Sequence, residues 1–108
     1  MSDLAQQRIR YVVFHRPGPA WKSGVDFREQ PGVSAHVQHY LQLHELGKLE
    51  MGGPFLLQDA GGMMVATRDV TEAELDAFAQ ADPAVQAGLL NYEIRPWFTA
   101  MENDRHTS

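Results

Sequence analysis

The stretch from Pro31 to Phe55 constrains the fold most, because it reads as a helix followed directly by a glycine stop and a glycine-rich strand. Five residues fall within one stripe at 3.6-residue spacing, namely Val33, Val37, Tyr40, Leu41 and His44. This spacing predicts an amphipathic helix with one face in a core. Ser34 or Gly32 is expected to cap its start, and Gly47 its end.

His36 lies in the first turn of this helix, toward the edge of the stripe. The positive end of the helix dipole disfavours a protonated imidazole there by about 0.3–1 kcal/mol. We therefore expect a neutral, half-exposed imidazole, which is the form that a general base requires.

The residues from 49 to 57 read as a strand that contains the triplet Gly52, Gly53, Pro54. Such a triplet predicts a bulge, or a close approach of the backbone to a ligand or another chain. Gly53 and Pro54 are accordingly candidate ligand contacts.

Three more strands and a second helix follow from local signals. Residues 8–15 and 63–67 are rich in β-formers, and alternation predicts a last strand from Leu90 that Pro96-Trp97-Phe98 closes. Thr71 and Glu74 form a capping box for a helix that must end before Pro83. The order β-α-β-β-α-β predicts a ferredoxin-like α+β fold with a four-stranded antiparallel sheet and both helices on one face.

The other face of this sheet is expected to be half-apolar and uncovered. Its contributors are Asn91, Glu93 and Arg95, with Arg10, Val12, Phe14 and the methionine strand. Such a face is expected to pair with a copy of itself, so we predict a homodimer with a cleft near the sheet junction.

Residues 16–32 have no helical or strand period but contain aromatic residues among prolines and glycines. Loops longer than about 12 residues are usually functional or disordered, and the aromatic content favours a packed flap. Trp21, Phe27 and Trp97 are candidates to wall a planar ligand, with Arg16, Lys22 or Arg95 binding an acidic group. The alternative is that the aromatic residues only pin the loop and pack the core or an interface.

The totals limit the classes of protein. A chain of 108 residues predicts one domain, 1–108, and the formal net charge of −5 without a basic run argues against nucleic acid. No apolar run approaches the roughly 20 residues that a membrane span needs. The chain has no cysteine, which excludes disulfides and thiolate sites and fits a cytoplasmic location. Residues 102–108 read as a polar, frayed tail.

The chain resembles the YciI-like (YCII-related) family, small bacterial proteins of the dimeric α+β barrel superfamily. The resemblance rests on the segments YVVFHRPG, LHELGKLEMGGPF, GGMMV, ADPAVQAGLL and YEIRPW, with His36 ahead of the second. It implies an acid–base site at His36 and Asp82, and it places the family's glycine-proline at Gly53 and Pro54. One branch is associated with removing hydrogen chloride from chlorinated hydroxyquinols. Many members carry an arginine where Val33 stands here, and Arg28 or Arg16 are its candidate replacements.

Asp82 precedes Pro83, so its carboxylate either caps the following turn or orients the imidazole of His36. A metal reading is also open, since His36 and His39 are three residues apart and His15 or His44 could be added, but no third ligand has a compelling spacing. We therefore expect neither metal nor cofactor.

These residues predict a lyase- or isomerase-type proton abstraction from a small molecule that is aromatic, acidic or lactone-like. Acyl transfer is disfavoured because no serine or cysteine nucleophile with a partnered base is evident. The alternatives are a non-catalytic dimer that binds a small metabolite, and a domain that serves only as an assembly partner.

Overall fold

The computed structural model describes residues 8–103, and their element order confirms the predicted β-α-β-β-α-β arrangement. Two short helical elements are added to it. The elements in chain order are β1 (Ile9–Pro17), a 3₁₀ turn (Phe27–Glu29), α1 (Val33–Glu45), β2 (Leu49–Pro54), β3 (Gly62–Ala66), α2 (Glu72–Gln80), α3 (Pro83–Gln86) and β4 (Leu90–Phe98).

The four strands form one antiparallel sheet in the order β2-β3-β1-β4. At its centre, Val13 of β1 lies between Met64 of β3 and Ile94 of β4. Both longer helices pack on the face to which Val13 points, where Tyr40, Leu43, Leu75 and other apolar residues form the core. The predicted α+β, ferredoxin-like fold is therefore confirmed.

The face that α1 buries differs from the predicted one. Tyr40 and Leu43 are 2 % and 3 % exposed, whereas Val37 and Leu41 are 53 % and 41 % exposed. The buried face is centred on His36, Tyr40 and Leu43. The most apolar stripe of the helix therefore does not face the core. Because the buried face contains a polar histidine, hydrophobic periodicity does not identify it.

Local stop and cap signals were largely correct. Gly47 has φ +76° after α1, and the Thr71 hydroxyl accepts a hydrogen bond from the Glu74 amide. The cap of α1 is Gly32 in the left-handed region, without a side-chain bond, so Ser34 does not cap it.

The ends of all four strands differ from the predicted ones, in β3 by one residue at each end. β1 continues to Pro17, β2 stops at Pro54, and β4 runs through Pro96 to Phe98. Pro96 is tolerated because β4 is an edge strand, where a missing amide proton need not break the ladder. The bulge in β2 falls between Leu49 and Met51 rather than in the glycine triplet.

The loop that follows β1 is held by side-chain hydrogen bonds. The buried Gln30 side chain donates to the carbonyls of Lys22 and Val25 at 2.7 and 2.9 Å, and accepts from the Lys22 amide. Asp59, in the β2–β3 turn, accepts a 2.7 Å hydrogen bond from the Trp21 indole. Gln30 thus closes the loop on itself and Asp59 joins it to the β2–β3 turn, while the role of the loop as a flap stays a prediction.

Side chains on the sheet face opposite the helices are partly covered by charged neighbours. Arg10 is buried and bonded to Glu50 at 3.2 Å and to Glu102 at 2.9 Å, and Glu102 also pairs with Arg68. Of the predicted tail, residues 104–108 lie outside the described range, and its fraying stays a prediction. No helix within residues 8–103 is long and apolar enough to cross a membrane. The homodimer stays a prediction.

Candidate active site

A cleft of about 630 Å³ opens between α1, the flap and the β2–β3 strands. Its outer walls are mainly apolar and include Trp21, Phe27, Val33, Val37, Leu41 and Met63. The exposed stripe of α1 thus lines this cleft instead of the core. Polar groups are concentrated at the inner end, where His15, His36 and Tyr40 meet.

Separate elements supply the side chains at this inner end. His15 is on β1 and points to the same face as Val13, since side chains two positions apart in a strand share a face. His36 and Tyr40 are one turn apart on α1, and Asp82 is the N-cap residue of α3. His36 is only 9 % exposed, so the expectation of a half-exposed imidazole was wrong.

His36 and Asp82 are joined by a short hydrogen bond. His36 Nδ1 lies 2.6 Å from Asp82 Oδ2, while Asp82 Oδ1 accepts from the Ala84 amide at 2.9 Å. Pro83 favours the extended backbone that Asp82 adopts, at φ −62° and ψ 121°. The two roles that the sequence left open are therefore combined, because one carboxylate oxygen caps α3 and the other contacts the imidazole.

The surroundings of Asp82 keep it ionised although it is fully buried. Burial by itself would raise its pKa, but the hydrogen bond and charge of His36, the Ala84 amide and His15 outweigh that effect, so its pKa is lowered. Because the carboxylate is an acceptor at Oδ2, the bonded Nδ1 of His36 carries the proton. In the neutral ring, Nε2 is then the nitrogen that carries the lone pair.

His36 Nε2 faces the cleft. It has no hydrogen-bond partner among residues 8–103, and within that range Arg10 Nε is the one buried side-chain nitrogen or oxygen without a partner. Nε2 must therefore retain accessible surface, and His36 lines the cleft. An acceptor nitrogen at the inner end of an apolar cleft is suitably placed to receive a proton from a bound molecule.

His15 and Tyr40 complete the inner end, and neither was selected from the sequence as a catalytic residue. Tyr40 Oη lies 3.5 Å from His15 Nε2, which is itself 4.0 Å from Asp82 Oδ2. Burial, with a smaller contribution from His36, lowers the pKa of His15 from 6.5 to about 4. Burial also raises the pKa of Tyr40, so both groups are neutral near pH 7. Strand alternation could have placed His15 beside Val13, but not at the end of a cleft.

The other candidate residues divide into two groups. Gly53, Pro54, Trp21 and Phe27 line the cleft, as does Arg28. Arg16 and Arg95 do not, because both pair with Glu93. Arg95 also lies over the Phe14 ring, with 4.5 Å from its guanidinium carbon to the ring centroid.

The hydrogen-bonded pair of His36 and Asp82 does not include Trp97 or the two remaining described histidines. Trp97 follows Arg95 by two residues on β4 and is not among the cleft-lining residues. His39 is bonded to the Phe78 carbonyl at 2.6 Å and stacks on the Phe78 ring, which is a packing role. His44 lines the cleft and is exposed.

The cluster of His15, His36 and Asp82 has the composition of a metal site, with ligand atoms within 4.8 Å of one another. A tetrahedral ion with ligands at about 2.0–2.1 Å separates those ligands by about 3.3 Å. The 2.6 Å contact of His36 with Asp82 is shorter than this and suits a shared proton. The geometry therefore favours an acid–base pair over a metal centre.

The described residues place this fold among known proteins. A solved structure of 5-chloro-2-hydroxyhydroquinone dehydrochlorinase (TftG) from Burkholderia phenoliruptrix AC1100, in complex with 2,5-dihydroxybenzoquinone, is similar with a TM-score of 0.61 and 20 % identity. The similarity covers 90 % of this chain and 97 % of that one, and it shows a shared fold. None of the curated protein sequences matches this chain. The family model of the YCII-related domain matches residues 9–98, and the chain therefore belongs to the YCII-related domain family.

Proposed function

We propose that this protein is a cofactor-independent acid–base enzyme that abstracts a proton from a small molecule, in a lyase- or isomerase-type reaction. His36 is the general base and Asp82 orients it. The observation that carries this proposal is the 2.6 Å hydrogen bond of His36 with a buried carboxylate at the inner end of an apolar cleft. The chain has no cysteine, so the fold needs no disulfide and suits a reducing cytoplasm.

The proposed step moves one proton. The lone pair of His36 Nε2 takes a proton from a hydroxyl or an activated C–H group, and the released electron pair remains on the substrate or expels an anionic leaving group. With a chlorinated hydroxyquinol the net loss is one proton and one chloride ion, and no oxidant or reductant is needed. Asp82 stabilises the resulting imidazolium, which then returns the proton to solvent.

The lining of the cleft suits a flat, mostly apolar substrate with oxygen groups at one end. Trp21, Phe27 and Met63 contribute apolar wall, and the buried polar groups, His15, His36 and Tyr40, lie at the inner end. A hydroxylated aromatic ring or a lactone has this distribution, and the ligand named for the similar dehydrochlorinase is a dihydroxylated quinone. Arg28 is the guanidinium in the lining that could accept an acidic substituent.

We also propose that two copies pair through the sheet face opposite the helices. Met51 and Trp97, which are 61 % and 48 % exposed, present apolar surface there. Light scattering should give the mass of two chains, and Trp97→Glu should give that of one. A monomeric wild-type protein at micromolar concentration would contradict the pairing.

The main test is release of chloride from 5-chloro-2-hydroxyhydroquinone by wild type, His36→Gln and His39→Gln. His39 is a suitable control because it lies on the same helix, is bonded to the Phe78 carbonyl and is not among the described residues that line the cleft. Loss of the base should lower kcat by about 10²–10⁴-fold, whereas His39→Gln should retain turnover. Equal turnover by all three proteins would contradict the proposal. Binding of 2,5-dihydroxybenzoquinone without turnover of hydroxyquinols would favour the metabolite-binding alternative.

A further inference from the structure

The proton transfer proposed above uses His36 and Asp82 but leaves His15 and Tyr40 without a role. His15 is 2 % exposed, yet it lines the cleft beside His36. The two imidazole centroids are 4.8 Å apart with their planes at 85°. One bound molecule at the inner end can therefore touch both rings.

The hydroxyl of Tyr40 indicates which nitrogen of His15 carries the proton. Among residues 8–103 its hydrogen-bond partner is His15 Nε2, at 3.5 Å. A buried hydroxyl without an acceptor costs about 1–3 kcal/mol, which favours Tyr40 as the donor and Nε2 as the acceptor over the reverse direction. A neutral imidazole that accepts at Nε2 carries its hydrogen on Nδ1.

The carboxylate of Asp82 acts in the opposite sense. Asp82 Oδ2 lies 4.0 Å from His15 Nε2 and by itself would favour a hydrogen on that nitrogen. That oxygen already accepts from His36 at 2.6 Å, however, and the other oxygen accepts from the Ala84 amide. The carboxylate contact of 4.0 Å is too long for a hydrogen bond and the Tyr40 contact of 3.5 Å is at the long limit of one, so the shorter contact favours a hydrogen on Nδ1 of His15.

His15 Nδ1 faces the cleft by the same argument that applies to His36 Nε2. It has no bonded partner within residues 8–103, and Arg10 Nε is the one buried unpartnered side-chain atom in that range. The inner end of the cleft thus presents an acceptor, His36 Nε2, next to a neutral donor, His15 Nδ1–H.

We propose that His15 is a further catalytic residue, which donates its Nδ1–H to the substrate oxygen on which negative charge builds while His36 removes the proton. This inference rests on the proposed function. Tyr40 is a positioning residue, because it acts by fixing the tautomer of His15. The proton moves to His36, the electron pair moves toward the substrate oxygen, and His15 neither gains nor loses a proton.

The surroundings of His15 suit this donor role. The titratable groups that face it are His36 and Tyr40 from α1, Asp82 from the start of α3, and Tyr92, its register partner on β4. Burial keeps His15 uncharged at neutral pH, and a neutral imidazole can polarise an oxygen without delivering a proton to it. Removal of one such donor to an oxyanion typically lowers kcat by about 10²–10³-fold.

The test reads the tautomer directly by long-range ¹H–¹⁵N correlation spectroscopy of histidine-labelled protein between pH 5.5 and 8. His15→Gln and His44→Gln provide the assignments. We expect an Nδ1–H tautomer of His15 that does not titrate in this range, and a shift of its Nδ1 signal when 2,5-dihydroxybenzoquinone is added. An Nε2–H tautomer, a charged ring, or a His15 signal indifferent to the probe would overturn the inference.

Two variants separate this inference from the proposed function. Tyr40→Phe removes the hydroxyl and should shift His15 toward the Nε2–H tautomer with a lower kcat and a small change in KM. His15→Asn retains a side-chain donor and should recover part of the activity that His15→Phe loses. If His36→Gln abolishes turnover while both His15 variants remain fully active, the role of His15 is wrong and that of His36 stands. If His36→Gln remains active, the proposed function itself fails.

Discussion

His36 and Asp82 are 46 positions apart in the chain, yet Nδ1 and Oδ2 lie 2.6 Å apart. The carboxylate reaches the imidazole because α1 and α3 begin near each other, and the same carboxylate caps α3 through its second oxygen. Asp82 therefore contributes both to the stability of α3 and to the proposed chemistry.

Substitution of Asp82 should separate these two roles. Asparagine retains an N-cap oxygen for the Ala84 amide but turns an NH2 group toward His36, so Asp82→Asn should retain the cap, whereas Asp82→Ala should cost about 1–2 kcal/mol more, from loss of the cap. Both variants lack the charge that supports the His36 imidazolium, so both should lose turnover by about 10²-fold or more. Urea unfolding and chloride release measure the two effects. An active Asp82→Asn protein would contradict the assignment.

The stability of the fold should depend on pH through His15. Its pKa falls from 6.5 to about 4 on folding, so between these values the unfolded chain binds more protons than the folded one. Stability should therefore rise by about 3 kcal/mol as pH increases from 4 to 6.5, and it should be lost in the reverse direction. The depressed pKa of Asp82 places its own loss at lower pH, below the ordinary value of 3.8.

Urea unfolding at half-unit pH intervals tests this prediction. The wild-type slope minus that of His15→Gln isolates the contribution of His15, since the other histidines remain in both proteins. A slope equal in the two proteins would show that His15 is not buried as described.

The face of α1 can be tested by a matched pair of substitutions. Leu43 is 3 % exposed in the core, so Leu43→Ala should cost about 2–5 kcal/mol. Leu41 lines the cleft and is 41 % exposed, so Leu41→Ala should cost much less but weaken binding of 2,5-dihydroxybenzoquinone. Thermal unfolding and calorimetry of both proteins measure this. If Leu41→Ala cost more stability than Leu43→Ala, the buried face would be the one predicted from periodicity.

Gly61 and Gly47 have the same positive φ of +76° but different surroundings. A Cβ at Gly61 would lie 1.9 Å from the His15 carbonyl oxygen, whereas a Cβ at Gly47 would meet nothing within 4 Å. Gly47→Ala should cost only the conformational penalty of about 1–2 kcal/mol. Gly61→Ala should cost more than about 4 kcal/mol or prevent folding. Equal losses in urea unfolding would mean that the close approach to β1 does not matter.

Added zinc should leave the melting temperature of untagged protein unchanged, because the His36–Asp82 contact is that of a hydrogen bond. An ion that bound the folded state at the His15, His36 and Asp82 cluster would stabilise it by mass action. An increase of several degrees that His15→Gln abolishes would establish a metal centre instead.

The fold could be predicted from the sequence because its signals are local. Gly47, the Thr71–Glu74 pair and the Asp82-Pro83 step each define an element boundary from neighbouring residues. The face that α1 buries could not be predicted. Val37 and Leu41 are apolar because they line a cleft, and in the sequence they cannot be distinguished from core residues.

The inner end of the cleft was only half predictable. The family resemblance implied His36 and Asp82. The role of His15 depends instead on how deep it lies in the cleft, and strand alternation does not give that depth. Arg16 was assigned to the flap because Pro17 suggested that the strand had ended. β1 in fact continues through both residues, and Arg16 pairs with Glu93 of β4.

The exposed stripe of α1 has a consequence for how such a protein can diversify. Val33, Val37 and Leu41 shape the wall of the cleft while contributing little to the core. Replacing them would alter which molecules fit without weakening the scaffold or displacing the imidazole one turn away. We therefore expect single substitutions at these three positions to change which molecules bind, with little loss of stability.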